Sequence, residues 1–255
     1  MDKGSYVKPL KKFGQNYLQD KNILNKIVDE FNPQPNNLII EIGPGQGGLT
    51  EFLYEKSSDF YAVEIDTRVI EDLKQRFPKL HLVQADFMEY DFRQFPNKVR
   101  VIGNIPYYLT SPILFKLLEN REKIEDAVLL MQFEVAERLT AIPGNKEYGI
   151  LAAIFNAFAE INLCFKVSPN VFFPKPKVYS AVVHLRFVDK YKIKNDKKYI
   201  QLVKAAFGQR RKTLKNSLGN SIFRNIDFTS SGIDLTLRAE KLTIPNFITL
   251  SEHII

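Results

Sequence analysis

The chain has 255 residues, 45% of them hydrophobic and 25% charged, with a formal net charge of +7. That length supports one large core or two modest ones, and the composition is ordinary for a globular protein. A single cysteine, Cys164, and three histidines exclude an internal disulfide framework and a Cys/His metal cluster.

The N-terminal residues Met1-Asp2-Lys3-Gly4-Ser5 lack an apolar signal core, and no span approaches the roughly 20 apolar residues of a membrane helix. A cytoplasmic, monomeric protein without membrane or metal partners is expected. Lys8, Lys11 and Lys12 form a basic arm ahead of Phe13-Gly14-Gln15-Asn16-Tyr17-Leu18. A helix is predicted from about Asp20 to Phe31, with Asp20 as its N-cap. Strand and helix signals then alternate. Strands are predicted at 38–42, 60–65, 80–84, 99–103 and 127–131. Helices are predicted in 45–55, from Asp66-Thr67 to before Pro78, after Ser111-Pro112, and over 132–140 and 148–159. Two late strands, 161–167 and 179–187, close this region. The alternation predicts a mostly parallel sheet with helices on both faces, an α/β fold whose ligands bind beyond the carboxyl ends of the strands. Cys164, in an apolar run, reads as core filler, and His184 as a strand residue.

Composition changes near residue 188. Residues 1–188 carry 23 Lys+Arg and 23 Asp+Glu, whereas residues 189–255 carry 13 and 6, so the whole excess of +7 lies in the last quarter. Residues 189–196 read as a linker, and 197–218, 231–238 and 244–254 as helical. Basic residues interleaved with helix-compatible apolar ones favour a polyanionic partner, against the plainer reading of a solvated helix face.

Three strand ends carry chemistry. Glu41-Ile42-Gly43-Pro44-Gly45-Gln46-Gly47-Gly48 joins the first strand to a helix, and its glycines let the backbone approach a ligand. With Glu64 about 20 residues on, the segment fits both a nicotinamide-dinucleotide site and an S-adenosylmethionine (SAM) site. Glu41 suits a cationic methionine end, and Pro44 removes one N–H that would cradle phosphate. Gln84-Ala85-Asp86-Phe87 sets a carboxylate and a ring at the third strand's tip, where an adenine could be met; the plainer reading of Asp86 is a helix N-cap. Asn104-Ile105-Pro106-Tyr107 follows the fourth strand. The Asn104 side chain and the Ile105 carbonyl, held by Pro106, can each accept an N–H from an exocyclic amine, and Tyr107 can stack on a base. The plainer reading is an X-Pro turn.

Together with Val171-Phe172-Phe173-Pro174-Lys175-Pro176-Lys177-Val178 and Gln209-Arg210-Arg211-Lys212-Thr213-Leu214-Lys215-Asn216-Ser217-Leu218-Gly219, these segments resemble, in order and nearly end to end, the KsgA (RsmA) family. Its members are small-subunit ribosomal RNA adenine dimethyltransferases. The resemblance implies a Rossmann-like SAM-dependent methyltransferase domain over 1–188 and a small basic α-helical rRNA-binding domain over 189–255. It implies transfer of methyl groups from SAM to N6 of two adjacent adenosines near the 3′ end of 16S rRNA, within an immature 30S subunit. Gln15, Asn16, Leu18, Gly43, Gly45, Glu64, Ile65, Asp86, Phe87 and Asn104 would line the SAM site. Asn104, Ile105, Pro106 and Tyr107 would face the target base, with Phe172 as a second ring. Arg210, Arg211, Lys212, Lys215, Lys11 and Lys12 would contact RNA. Tyr108 stands where Asn is usual in that family, and Phe133 where Lys is usual. An Erm-type enzyme acting on large-subunit rRNA, a DNA adenine methyltransferase, a nicotinamide oxidoreductase and a non-catalytic ribosome-assembly factor are the alternatives.

Overall fold

A computed structural model describes residues 8–10 and 13–254. The chain forms two compact units: residues up to Ala136 together with Asn162–Phe187, and Glu137–Ile161 together with the residues from Val188 on. The stretch 137–161 thus groups with the C-terminal segment.

In the first unit the elements run β1 (Tyr17–Leu18), α1 (Lys21–Phe31), β2 (Leu38–Ile42), α2 (Gly48–Leu53), β3 (Asp59–Glu64), α3 (Thr67–Arg76), β4 (His81–Gln84), β5 (Val99–Asn104), α4 (Thr110–Glu119) and β6 (Ile124–Gln132). After α5 (Phe133–Thr140) and α6 (Ile150–Phe158) come β7 (Ala159–Val167), β8 (Phe172–Phe173) and β9 (Ser180–Phe187). Seven strands form one sheet in the order β4-β3-β2-β5-β6-β9-β7. The pairs β2–β3, β2–β5, β3–β4 and β5–β6 are parallel, and β6–β9 is antiparallel. This is the expected α/β architecture.

Parallel strands covered on both faces become continuous apolar runs. Ile39 and Ile40 of β2, Val101 and Ile102 of β5, and Ala127 to Met131 of β6 are all fully buried. Each large aliphatic side chain so buried contributes about 1.5–3 kcal/mol. Asp20 caps α1 by accepting from the Asn22 and Ile23 amides, as its side chain predicts. Asp66 caps α3 in the same way through the Arg68 amide.

The sheet's chain order reverses beside β2 and β5, so their carboxyl ends open a crevice. At the opposite end a buried polar cluster ties the strand starts together. Arg100 binds Asp126 through two nitrogens at 2.8 and 2.7 Å, and also donates to the Phe31 carbonyl at 2.6 Å. His184 bridges Asp126 at 2.8 Å and Glu30 at 3.2 Å. Cys164 is half-buried against the apolar core, and burial pushes its thiol up to about 12. Both residues are structural, as their sequence context implied.

One small sheet was not foreseen. β1 and β8 pair antiparallel, with Leu18 opposite Phe172 and Tyr17 opposite Phe173. Two residues per strand give no period to detect.

The second unit contains α6, α7 (Asp196–Phe207), α8 (Leu214–Gly219) and α9 (Ile244–Glu252). Tyr199, Leu202, Val203, Phe247 and Leu250 are its buried centre, and the Tyr199 hydroxyl donates to the Ala153 carbonyl at 2.7 Å. Two expectations fail here. The helix expected over 197–218 breaks between Phe207 and Leu214: Gly208 is the C-cap of α7 and Thr213 the N-cap of α8. The helix expected over 231–238 is absent. Gly232 takes a left-handed φ of +74°, and Asp234 accepts from the Thr236 amide and hydroxyl at 2.9 and 2.7 Å. Such local side-chain bonds compete with helical ones.

Candidate active site

The crevice beyond β2, β3 and β5 holds a cavity of about 610 Å³, within the size range of small-molecule sites. Every residue expected at the SAM site lines it, from Gln15, Asn16 and Leu18 through Gly43, Gly45, Glu64, Ile65, Asp86 and Phe87 to Asn104. Ile105, Pro106 and Tyr107 line it too.

The glycine loop is the floor. Gly43 and Gly45 have φ of +59° and +54°, which side chains rarely adopt. A Cβ on Gly43 would meet nothing within 4 Å, so a ligand can lie directly against this backbone. A Cβ on Gly45 would stand 2.7 Å from the Tyr17 ring, so glycine there lets the N-terminal strand close over the loop. The Gly45 amide donates to Glu64 Oε2 at 2.9 Å and the Asp66 amide to Glu64 Oε1 at 2.7 Å. Each carboxylate oxygen therefore keeps a lone pair for a ligand hydroxyl. Burial raises the Glu64 carboxyl, against these amide bonds.

Glu41 lies deeper and is 1% exposed. Burial pushes it up to about 8, against the Thr50 hydroxyl that donates to it at 2.7 Å. A neutral acid at pH 7, ready to ionise beside a cation, fits an ammonium and not a pyrophosphate. α2 has only six residues and an acid, Glu51, in its first turn, which also disfavours phosphate.

Asp86 accepts the Met88 amide at 2.8 Å through Oδ1. The N-cap reading is therefore correct, and the same residue faces the cavity. Phe87 is buried among Tyr90 and Phe92, whereas Ile65 is 47% exposed at the tip of β3. An exposed apolar residue beside an acid suits a nucleoside's face and its edge.

Gln15 acts differently from its neighbours. Its Nε2 donates to Asp66 Oδ2 at 2.8 Å, and its Oε1 accepts the Leu10 amide at 2.8 Å. It tethers the N-terminal segment across the crevice. Arg68, bonded to Asp66, reaches the Lys8 carbonyl at 3.0 Å and adds a second tie.

At the end of β5 the Asn104 amide nitrogen donates to the Asn16 carbonyl at 2.8 Å. That bond orients the carboxamide and reserves Oδ1 as an acceptor. The Ile105 amide donates to the Leu130 carbonyl at 3.1 Å, which fixes the peptide before Pro106. Tyr107 opens a short 3₁₀ turn, and its hydroxyl meets Ser180 Oγ at 2.6 Å. Sequence reasoning missed Ser180, although it marks where the apolar strand β9 begins.

Phe172 stands apart from the other expected site residues. It is 4% exposed and packs in the apolar core with Leu18 and Val182, outside the cavity lining. Strand alternation turns Phe172 inward and Phe173 outward, the latter 44% exposed. Of the expected RNA contacts, Arg210, Arg211, Lys212 and Lys215 are exposed in the second unit, on the turn before α8 and its first residues. Arg210 is partly engaged, donating to the Lys146 carbonyl and lying 3.8 Å from Glu240. Lys11 and Lys12 lie outside the described residues. No group of three or more metal-ligating side chains occurs among the described residues, and none of their helices is long and apolar enough to cross a membrane.

Comparison with known proteins agrees with this geometry. Residues 8–255 match the ribosomal RNA adenine dimethylase family. The chain is 43% identical over 248 residues to ribosomal RNA small subunit methyltransferase A of Chlorobium phaeobacteroides, covering 96% of this chain and 93% of that one. It is 39% identical over 257 residues to the protein of the same name from Francisella tularensis subsp. novicida, covering 97% and 98%. A dimethyladenosine transferase from Plasmodium falciparum superimposes with a TM-score of 0.78 at 25% identity, over 91% of this chain and 95% of that one. The 23S rRNA methyltransferase ErmE gives 0.71 at 25% identity, over 94% and 99%. With a family match over residues 8–255 and relatives 43% and 39% identical over nearly the whole chain, the chain belongs to the ribosomal RNA adenine dimethylase family.

Proposed function

We propose that this chain transfers methyl groups from SAM to N6 of two adjacent adenosines in the 3′-terminal hairpin loop of 16S rRNA, within an immature 30S subunit, giving N6,N6-dimethyladenosine. The observation that carries the reading is the Asn104 carboxamide, tied through nitrogen to Asn16 so that its oxygen stays available beside the Ile105 carbonyl. The full-length match to proteins named for the small ribosomal subunit favours 16S over 23S rRNA, and these identities exceed that to ErmE.

The residues fit SAM. Glu64 would take ribose hydroxyls, Asp86 and Ile65 the adenine edge and face, and the Gly43–Gly45 backbone with Glu41 the methionine end. Bound there, SAM supplies an electrophilic methyl group. The protein's task is the nucleophile, since the lone pair of an adenine amine is delocalised into the ring. Two acceptors, Asn104 Oδ1 and the Ile105 carbonyl, would take both amino hydrogens and favour a pyramidal nitrogen. Both are fixed before substrate arrives, so the dipoles need no reorganisation. Tyr107, held by Ser180, would stack on the base and keep it out of its RNA stack, worth about 1–3 kcal/mol per stacked ring. Water can take the proton after transfer, and no strong base is required.

The test is mass spectrometry of rRNA from immature 30S particles after incubation with the protein and SAM. Two adjacent dimethyladenosines are expected. Modification of 50S particles instead would transfer the reading to the large subunit, and binding without transfer would favour an assembly factor.

A further inference from the structure

Lys166 is exposed on β7, and its ammonium lies 4.0 Å from the centre of the Phe133 ring and 4.3 Å from that of Tyr179. The three residues form one stack. It sits at the rim of the first unit's sheet, where β6 ends and β9 begins. The Phe133 amide donates to the Tyr179 carbonyl at 3.0 Å, and the next residue, Ser180, holds the Tyr107 hydroxyl.

Two rings orient an ammonium without neutralising it, unlike a carboxylate. Among the described residues no ion pair joins Lys166 to an acid. In the sequence around it, residues 162–178 contain three lysines, Lys166, Lys175 and Lys177, and no Asp or Glu. Lys175 and Lys177, exposed on the loop between β8 and β9, belong to this set. Tyr179 is itself 50% exposed. A preoriented, un-neutralised cation against Tyr179, one residue before the Ser180 that holds Tyr107, is suited to meet an anion.

We propose that the Phe133–Lys166–Tyr179 stack is a phosphate-contact site for the RNA strand flanking the target adenosine. The inference rests on the proposed RNA adenosine substrate, since only a polynucleotide brings a phosphate past Tyr107 together with the base.

The experiment compares the full-length protein with Lys166→Gln and Lys166→Arg, on immature 30S particles with SAM. Methylation by the unmodified protein first establishes the substrate; its absence would sink the functional reading and this inference with it. Given methylation, Lys166→Gln should raise KM for the particle about three- to tenfold. It should also lower the slope of log affinity against log salt by about 0.7, one single-strand phosphate contact. SAM affinity, read by calorimetry, should not move, and Lys166→Arg should recover most of both losses. An unchanged KM and salt slope in Lys166→Gln would overturn the site while leaving the methyltransferase reading intact. So would a loss confined to SAM binding or to thermal stability.

Discussion

The hydroxyl of Tyr107 and Oγ of Ser180 lie 2.6 Å apart, joining the residue after Pro106 to the first residue of β9. Ser180 is fully buried, so the tyrosine's far end is anchored in the sheet while its ring lines the cavity. Burial raises the Tyr107 phenol, against the Ser180 bond, so it stays protonated and can donate. If the ring's face does the work and the hydroxyl only holds it, Tyr107→Phe and Ser180→Ala should cost similar, modest amounts. Loss of one such bond is about 0.5–1.5 kcal/mol, or roughly two- to tenfold in kcat/KM. Tyr107→Ala should cost far more. Equal losses in Tyr107→Phe and Tyr107→Ala, measured with saturating SAM, would assign the effect to the hydroxyl instead.

Asn104 carries two groups in one side chain, an amide that holds Asn16 and an oxygen that the proposed mechanism uses as an acceptor. Asn104→Ala removes both. Methyl transfer should fall at least a hundredfold, about 2.7 kcal/mol of transition-state stabilisation, while SAM affinity by calorimetry weakens less. Near-normal single-turnover rates in this variant would remove the carboxamide from the chemistry.

Glu41 would make the proposed SAM site sensitive to pH. Free, its carboxyl ionises only near 8 because of burial. An ammonium bound beside it favours the charged form and lowers that value. At pH 7 binding should therefore release a proton, and affinity should tighten as pH rises towards about 8, then level off. Calorimetry in buffers of different ionisation enthalpy reads the proton directly. A binding enthalpy independent of buffer, or proton release that persists in Glu41→Gln, would show that the methionine end does not reach Glu41.

How much of this was legible in the sequence follows from the range of the interactions. The β2 loop, the tip of β3 and the tetrapeptide were readable because each is a local pattern at a strand end, and a parallel sheet gathers such ends on one side. Phe172 lies outside the cavity lining, and its motif fixes position along the chain and not the face. Only the two-residue pairing with Leu18 decides that it points inward. The Gln15–Asp66 tie spans 51 residues and the Tyr107–Ser180 bond 73, and neither leaves a local trace. In the second unit the turn at Asp234 had a visible signal, Asp followed two residues later by Thr, inside the stretch expected to be helical.

His184 gives the first unit its own pH dependence. The Asp126 hydrogen bond, helped by Glu30 and opposed by burial, raises the imidazole above its ordinary value. Burial opposes ionisation of Asp126, and the bonds from Arg100 and His184 outweigh it, holding that carboxyl low. A raised folded-state value means the stabilisation is complete below the unfolded value of about 6.5 and is lost as pH rises through the folded one. Thermal midpoints should decline over that window, and His184→Gln should flatten the decline while lowering stability at pH 6. A variant with the same slope as the original would place the dependence elsewhere.

The basic turn of the second unit divides by engagement. Arg210 is bonded to Lys146 and lies near Glu240, whereas Arg211, Lys212 and Lys215 are exposed around Thr213 and the start of α8. An exposed cation loses little by meeting phosphate, and one already bonded must first give up its partners. Replacing Arg211, Lys212 and Lys215 together by Ala should weaken particle binding and reduce the salt slope by about two, at about 0.7 per contact. Methyl transfer at saturating particle should persist. Arg210→Ala should change the salt slope less and lower thermal stability more. Filter binding over a salt series decides the matter, and an unaltered slope in the triple variant would take this turn off the RNA surface.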